Sequence, residues 1–75
     1  MNISDELKCA AVEILGTGRF SVSNYKGIIE YTDTAIRINT ADFVVSIAGS
    51  GFEICYISDE EVCAVGKIEK VEFIH

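Results

Sequence analysis

The stretch Ala35-Ile36-Arg37-Ile38-Asn39-Thr40-Ala41-Asp42-Phe43-Val44-Val45-Ser46-Ile47-Ala48-Gly49-Ser50-Gly51-Phe52-Glu53-Ile54-Cys55-Tyr56-Ile57 decides the fold class. Ile36 and Ile38 alternate with Arg37 and Asn39; Phe43, Val45 and Ile47 alternate in part with Ser46; Phe52, Ile54 and Tyr56 alternate with Glu53 and Cys55. A period of two sends successive side chains to opposite faces, so one face of a sheet is buried and the other meets water. β-branched and aromatic residues fill these runs, which suits a pleated, half-buried surface. Thr40-Ala41-Asp42 and Gly49-Ser50-Gly51 break the pattern with turn-forming residues.

Working outward, the same rhythm continues. Gly16-Thr17-Gly18, Lys26-Gly27, Thr32-Asp33-Thr34 and Ser58-Asp59-Glu60-Glu61 recur every ~8–10 residues, the spacing of successive strands in an all-β domain. The expected strands are Val12–Leu15, Arg19–Asn24, Ile28–Thr32, Ala35–Thr40, Phe43–Ala48, Phe52–Ile57 and Val62–Ile74. The last slips in its alternation near Glu69-Lys70, which predicts a bulge or corner there. Connections this short favour antiparallel neighbours. The reading is all-β: a single small domain of six or seven short antiparallel strands in a meander, forming a compact sandwich or partly closed barrel. A short β-solenoid is the alternative, although no side-chain motif repeats with the turns. Residues 12–75 make up the domain; residues 1–11 read as an N-terminal tail, or as a single helical turn capped by Ser4-Asp5-Glu6.

Seventy-five residues allow one domain. Twelve acids against six bases give a net charge of −6, which disfavours a nucleic-acid partner and an anionic membrane surface. The longest nearly apolar stretch, Phe43 to Ala48, is far shorter than the ~20 residues a spanning helix needs, so direct membrane insertion is not expected. No charged segment followed by an apolar one opens the chain, as a secretory signal would require. Cys9, Cys55 and Cys63 are odd in number and form no CxxC pair, which points to free thiols in a reducing cytosol.

Catalytic and cofactor chemistry finds little support. The one histidine, His75, is the last residue and reads as a terminal side chain, so no base stands ready for a nucleophile. No metal is expected, since a structural zinc site wants four Cys or His ligands in close pairs. If Ser58–Glu61 is a four-residue hairpin loop, Tyr56 lies opposite Cys63 and Cys55 opposite Ala64. The two cysteines then occupy opposite faces and neither bridge nor share an ion. A loop one residue longer or shorter would place them face to face. Cysteine as a small buried hydrophobe is the plainer reading. Asp59-Glu60-Glu61 is contiguous, without the alternate spacing of a calcium loop, and reads as a solvated turn. Gly16-Thr17-Gly18 and Gly49-Ser50-Gly51 precede strand-like runs, so both read as hairpin turns, not as phosphate cradles.

The segment Asn24-Tyr25-Lys26-Gly27-Ile28-Ile29-Glu30-Tyr31-Thr32-Asp33, followed by Ile36-Arg37-Ile38, resembles the YabP/YqfC family of spore-formation proteins, and the YqfC branch in particular. A looser likeness continues through Ile54–Tyr56, the acidic turn Ser58–Glu61, Gly66-Lys67-Ile68 and Val71-Glu72-Phe73, so it covers roughly residues 12–74. The resemblance implies a protein of endospore-forming bacteria made in the mother cell during sporulation. It implies no enzymatic activity and no cofactor, and a membrane-associated sporulation protein encoded nearby as the partner. The expected function is a non-enzymatic interaction or assembly factor, cytoplasmic and peripheral at the forespore-facing membrane through that partner. Asn24, Tyr25 and Lys26, expected at a turn, are the candidate contact, with the tyrosine as amphipathic anchor. Tyr25 covering the edge of the core is the structural alternative. Self-association by edge pairing is a second route to assembly. Two other classes compete: a small-ligand-binding β-barrel module, and a thiol enzyme or redox sensor built on Cys55 or Cys63. The last needs a cation or helix N-terminus beside a cysteine, and none is near in sequence.

Overall fold

A computed structural model of the chain describes residues 9–75. The residues of the expected cap, Ser4-Asp5-Glu6, lie outside the described residues. Six strands follow: β1 (Ala11–Leu15), β2 (Arg19–Ser23), β3 (Tyr25–Tyr31), β4 (Ala35–Thr40), β5 (Val44–Ile57) and β6 (Glu61–Ile74). They form one all-antiparallel sheet in the order β1-β2-β6-β5-β4-β3. Strands β3 to β6 make a meander, and the β1–β2 hairpin joins it along β6. The antiparallel pairing throughout excludes the stacked parallel coils of a solenoid.

The connection from β2 to β3 shows that the sheet is folded on itself. In a flat sheet four strand spacings would separate these strands, about 19 Å. Asn24 alone joins Ser23 to Tyr25, and two Cα–Cα steps reach at most about 7.6 Å. The fold line runs through β5 and β6. Both arms of β5 pair with β6, but at the middle Gly51 and Phe52 stand opposite the single Gly66. On one side of this bulge lie β1, β2 and residues 61–65 and 53–57; on the other lie β3, β4 and residues 44–50 and 67–74. Phe20, Val22, Val62 and Ala64 from the first half meet Ile36, Ile38, Val45 and Ile47 from the second, with Phe52 at the fold line. All nine are at most 3% exposed.

Gly49-Ser50-Gly51 is therefore a bend inside one long strand and not a hairpin turn. The expected strands Phe43–Ala48 and Phe52–Ile57 are the two arms of β5. The backbone amides freed at the bend are satisfied by flanking turns. Gly49 and Phe52 donate to the carbonyls of Thr34 and Asp33 at 3.0 Å each, and Gly66 and Ile68 donate to those of Gly18 and Thr17 at 3.0 and 2.8 Å. The slip near Glu69-Lys70 is a bulge as expected, because Ala48 pairs with Lys70 and Gly49 with Ile68, leaving Glu69 extra.

Three turns use one device, in which a hydroxyl at the start accepts backbone amides two or three residues on. Thr32 Oγ1 accepts from Ala35 at 2.9 Å, Thr40 Oγ1 from Phe43 at 3.0 Å, and Ser58 Oγ from Glu61 at 3.1 Å. Thr40 is the one buried polar side chain among the described residues, and its hydroxyl donates in turn to the Phe43 carbonyl at 2.8 Å.

Candidate functional site

The three candidate contact residues do not sit in a turn. Asn24 is the connection between the sheet halves, and Tyr25 and Lys26 open β3. Gly27 likewise lies within the strand. Only Asn24 has turn-like backbone, at φ 57°, in the left-handed region that asparagine tolerates better than most residues. This conformation turns the chain through the corner between the halves. The Asn24 N–H donates to the Glu60 carbonyl at 2.6 Å, and its side-chain amide donates to the Cys9 carbonyl at 3.0 Å. Asn24→Val is expected to lose about 1–3 kcal/mol of stability through αL strain, and Asn24→Gly much less. A urea midpoint series comparing the two checks this; equal midpoints would remove the strain argument.

Tyr25 is half-buried against the core, and its hydroxyl donates to the Ser58 carbonyl at 2.7 Å. Lys26 is exposed because β3 bulges there: Tyr25 pairs with Thr40 and Gly27 with Asn39, leaving Lys26 extra. A second bulge presents Ile29, 57% exposed, farther along this outer strand. Bulges re-aim side chains and twist an edge away from indiscriminate pairing. The structure thus brings Asn24 and Tyr25 against the acidic turn Ser58–Glu61, and a shallow surface hollow of about 520 Å³ lies between them, lined by Ser23, Asn24 and Ser58–Glu61. A neighbouring hollow runs over Lys26 and Ala41. The site is a lone lysine beside an acidic ridge. Residues Phe43–Ala48, which would suit either a sheet centre or an edge, are central, since the β5 arm from Val44 pairs with β4 and with β6.

The cysteines differ from expectation. The four-residue loop is present, with Ile57 opposite Val62 and Tyr56 opposite Cys63. The register then shifts, so that Ile54 and not Cys55 faces Ala64. The bulge at Cys55 turns its side chain onto the same face as Cys63, and the two sulfurs stand 3.3 Å apart. Sequence reasoning missed this because a bulge inside a regular strand leaves the alternation of Phe52, Ile54 and Tyr56 unbroken. Arg19, exposed at the start of β2, adds the cation that was not near in sequence: its Nε–H donates to Cys63 Sγ at 3.2 Å. Cys63 is buried and Cys55 exposed. Donation of its S–H to Cys63, with burial second, pushes the Cys55 thiol above its usual pKa. The Tyr56 hydroxyl donates to the Glu61 carboxylate, which raises the phenol likewise.

The His75 ring lies edge-on to Phe43, 6.4 Å between centroids, and Phe43 also meets Phe73 edge-on at 5.3 Å. Among the described residues no group of three or more His, Cys, Asp or Glu is placed to hold a metal ion, and no helix is long and apolar enough to cross a membrane.

No curated protein and no solved structure matches the chain. The family model described as YabP family matches residues 6–75, farther toward the N-terminus than the resemblance drawn from the sequence. The match does not distinguish a branch of the family.

Proposed function

This chain belongs to the YabP family, which points to a role in sporulation, and from that premise we propose that it is a non-enzymatic interaction or assembly factor. It acts in the mother-cell cytoplasm of an endospore-forming bacterium. There it docks on a membrane-associated sporulation protein at the forespore-facing membrane. Family membership is the observation that carries the reading. The contact proposed is the corner formed by Asn24, Tyr25 and Lys26 with the Ser58–Glu61 turn. The bulge that holds Lys26 out of the edge, and the two hydrogen bonds that tie Asn24 and Tyr25 to the turn, support a presented and rigid surface. A small ligand held inside a barrel is less well supported, because nine buried side chains fill the space between the sheet halves.

Lys26→Glu and Tyr25→Phe test the contact. Tyr25→Ala would confound it, since Tyr25 also packs on the core. Lys26→Glu is a surface change expected to move stability by no more than about 0.5 kcal/mol. Tyr25→Phe removes one hydrogen bond, a loss of about 1 kcal/mol. Both are expected to stay folded by circular dichroism. Tagged protein recovered from sporulating cells in mild detergent should lose one membrane-associated partner in Lys26→Glu, with a matching fall in spore count. Normal spores and undiminished recovery from the folded variant would sink the proposed contact.

A further inference from the structure

We propose that Cys55 and Cys63 are a reversible dithiol–disulfide site, closed by low-molecular-weight disulfides and positioned by Arg19. This goes beyond the docking role and does not depend on it. Three features of the geometry carry it. The bulge at Cys55 brings the two sulfurs to 3.3 Å, so closing to an S–S bond of about 2 Å asks little more than about 1 Å of movement, shared between two side chains. The pair is asymmetric, one thiol exposed and one buried, which supplies an entry point and a resolving group. The buried sulfur receives two donors, Cys55 S–H and Arg19 Nε–H, so a fixed positive charge faces the sulfur that makes the second, resolving attack.

Cys63 lines a hollow of about 280 Å³ together with Glu13, Leu15, Arg19, Tyr56 and Glu61. Arg19 comes from β2, Glu13 from β1, and Glu61 from β6. The contact that Arg19 makes within this hollow is to the Cys63 sulfur.

The reaction balances as two thiol–disulfide exchanges. The exposed Cys55 thiol gives its proton to solvent, and its sulfur attacks one sulfur of a small disulfide. The S–S bond of that molecule breaks, and one small thiolate leaves with the bonding pair. Cys63, its proton likewise passed to solvent, then attacks Cys55 Sγ and expels the second small thiolate. Two electrons pass from the protein to the small disulfide, and both released thiolates take up protons. Excess small thiol reverses the sequence. The new bond ties β5 to β6 two strand positions from the Ser58–Glu61 turn and converts the sulfur that Arg19 now contacts from a thiol to a disulfide sulfur.

The test uses the full chain in glutathione/glutathione-disulfide buffers, quenched in acid and alkylated with maleimide before intact mass measurement. The reduced chain should carry three labels, and the oxidised chain one, on Cys9, with no glutathione adduct retained. A Cys9→Ser variant should pass from two labels to none. Cys55→Ser, a change at an exposed position, should keep both remaining labels under the same buffer. Arg19→Gln should slow closure several-fold at neutral pH while the fold is unchanged. The proposal fails if the chain keeps all three labels, accumulates stable glutathione adducts, or loses thiols only through dimers that disappear in Cys9→Ser. An Arg19→Gln rate equal to that of the parent would overturn the positioning role.

Discussion

Gly49→Ala is expected to lower stability by about 3 kcal/mol or more, at or above the top of the range for forcing extra atoms into a packed site. A Cβ at this position would fall inside the contact distance of the Lys67 carbonyl oxygen, and would lie 2.9 Å from both the Lys67 carbonyl carbon and Phe52 Cζ. The obstruction is backbone, across the fold line from β5 to β6, so no rotamer change relieves it. A domain of this length holds about 4–11 kcal/mol in total, so the variant should show a substantial unfolded population. Gly27→Ala is the control, because nothing lies within 4 Å of a Cβ there. With three tyrosines and no tryptophan, urea unfolding is best followed by tyrosine fluorescence and circular dichroism. Equal midpoints for the two variants would mean that the fold line tolerates a side chain, and the account of the bend would be wrong. Gly66 is constrained in the same way: its φ is 150°, and a Cβ would meet Phe52 Cα at 2.9 Å and the Gly51 carbonyl at 3.1 Å.

Phe52→Ala should cost about 3–5 kcal/mol, the range for removing a buried phenylalanine. The ring is 3% exposed and sits edge-to-face with Phe20 at 6.0 Å, where both halves of the sheet converge. Gly49 and Gly66 leave it room, so the aromatic residue and the two glycines act as one unit. The alanine variant leaves a void that neither half can fill without unbending β5 and β6. Pairing it with Phe20→Ala in a double-mutant cycle should show coupling of about 0.5–1.5 kcal/mol from the ring contact. A loss below about 1 kcal/mol for Phe52→Ala alone would place the anchor of the fold elsewhere.

The core was largely legible in the alternation. Phe20, Val22, Ile36, Ile38, Val45, Ile47 and Phe52 are the inward members of their alternating runs, and all are buried. The bulge at Glu69 was legible for the same reason, since an extra residue shifts the pattern that follows it. The bulges at Lys26 and Cys55 were not. Lys26-Gly27 resembles a turn locally, and around Cys55 the apolar residues keep their spacing while the backbone register changes. The corner at Asn24 was readable only as a residue that tolerates turn geometry. Its role in joining the two halves depends on strands β5 and β6, which lie far along the chain.

By itself the sequence determined the all-β class, the antiparallel pairing, the buried face of most runs, the acidic surface and the likeness to the YabP family. The first four follow from local periodicity, loop length or composition; the likeness rests on the particular order of residues from Asn24 to Ile38. Tertiary structure alone decided that Gly49-Ser50-Gly51 bends a strand instead of reversing it. The same three residues suit either outcome, and the choice rests on whether the flanking arms pair with each other or with one long partner. They pair with β6, so the sheet folds over. The same long-range pairing of β2 with β6 carries Arg19 across 44 residues of sequence to Cys63. The shifted register then sets Cys55 beside them, because hydrogen bonding between strands, and not the spacing of residues, fixes which side chains share a face.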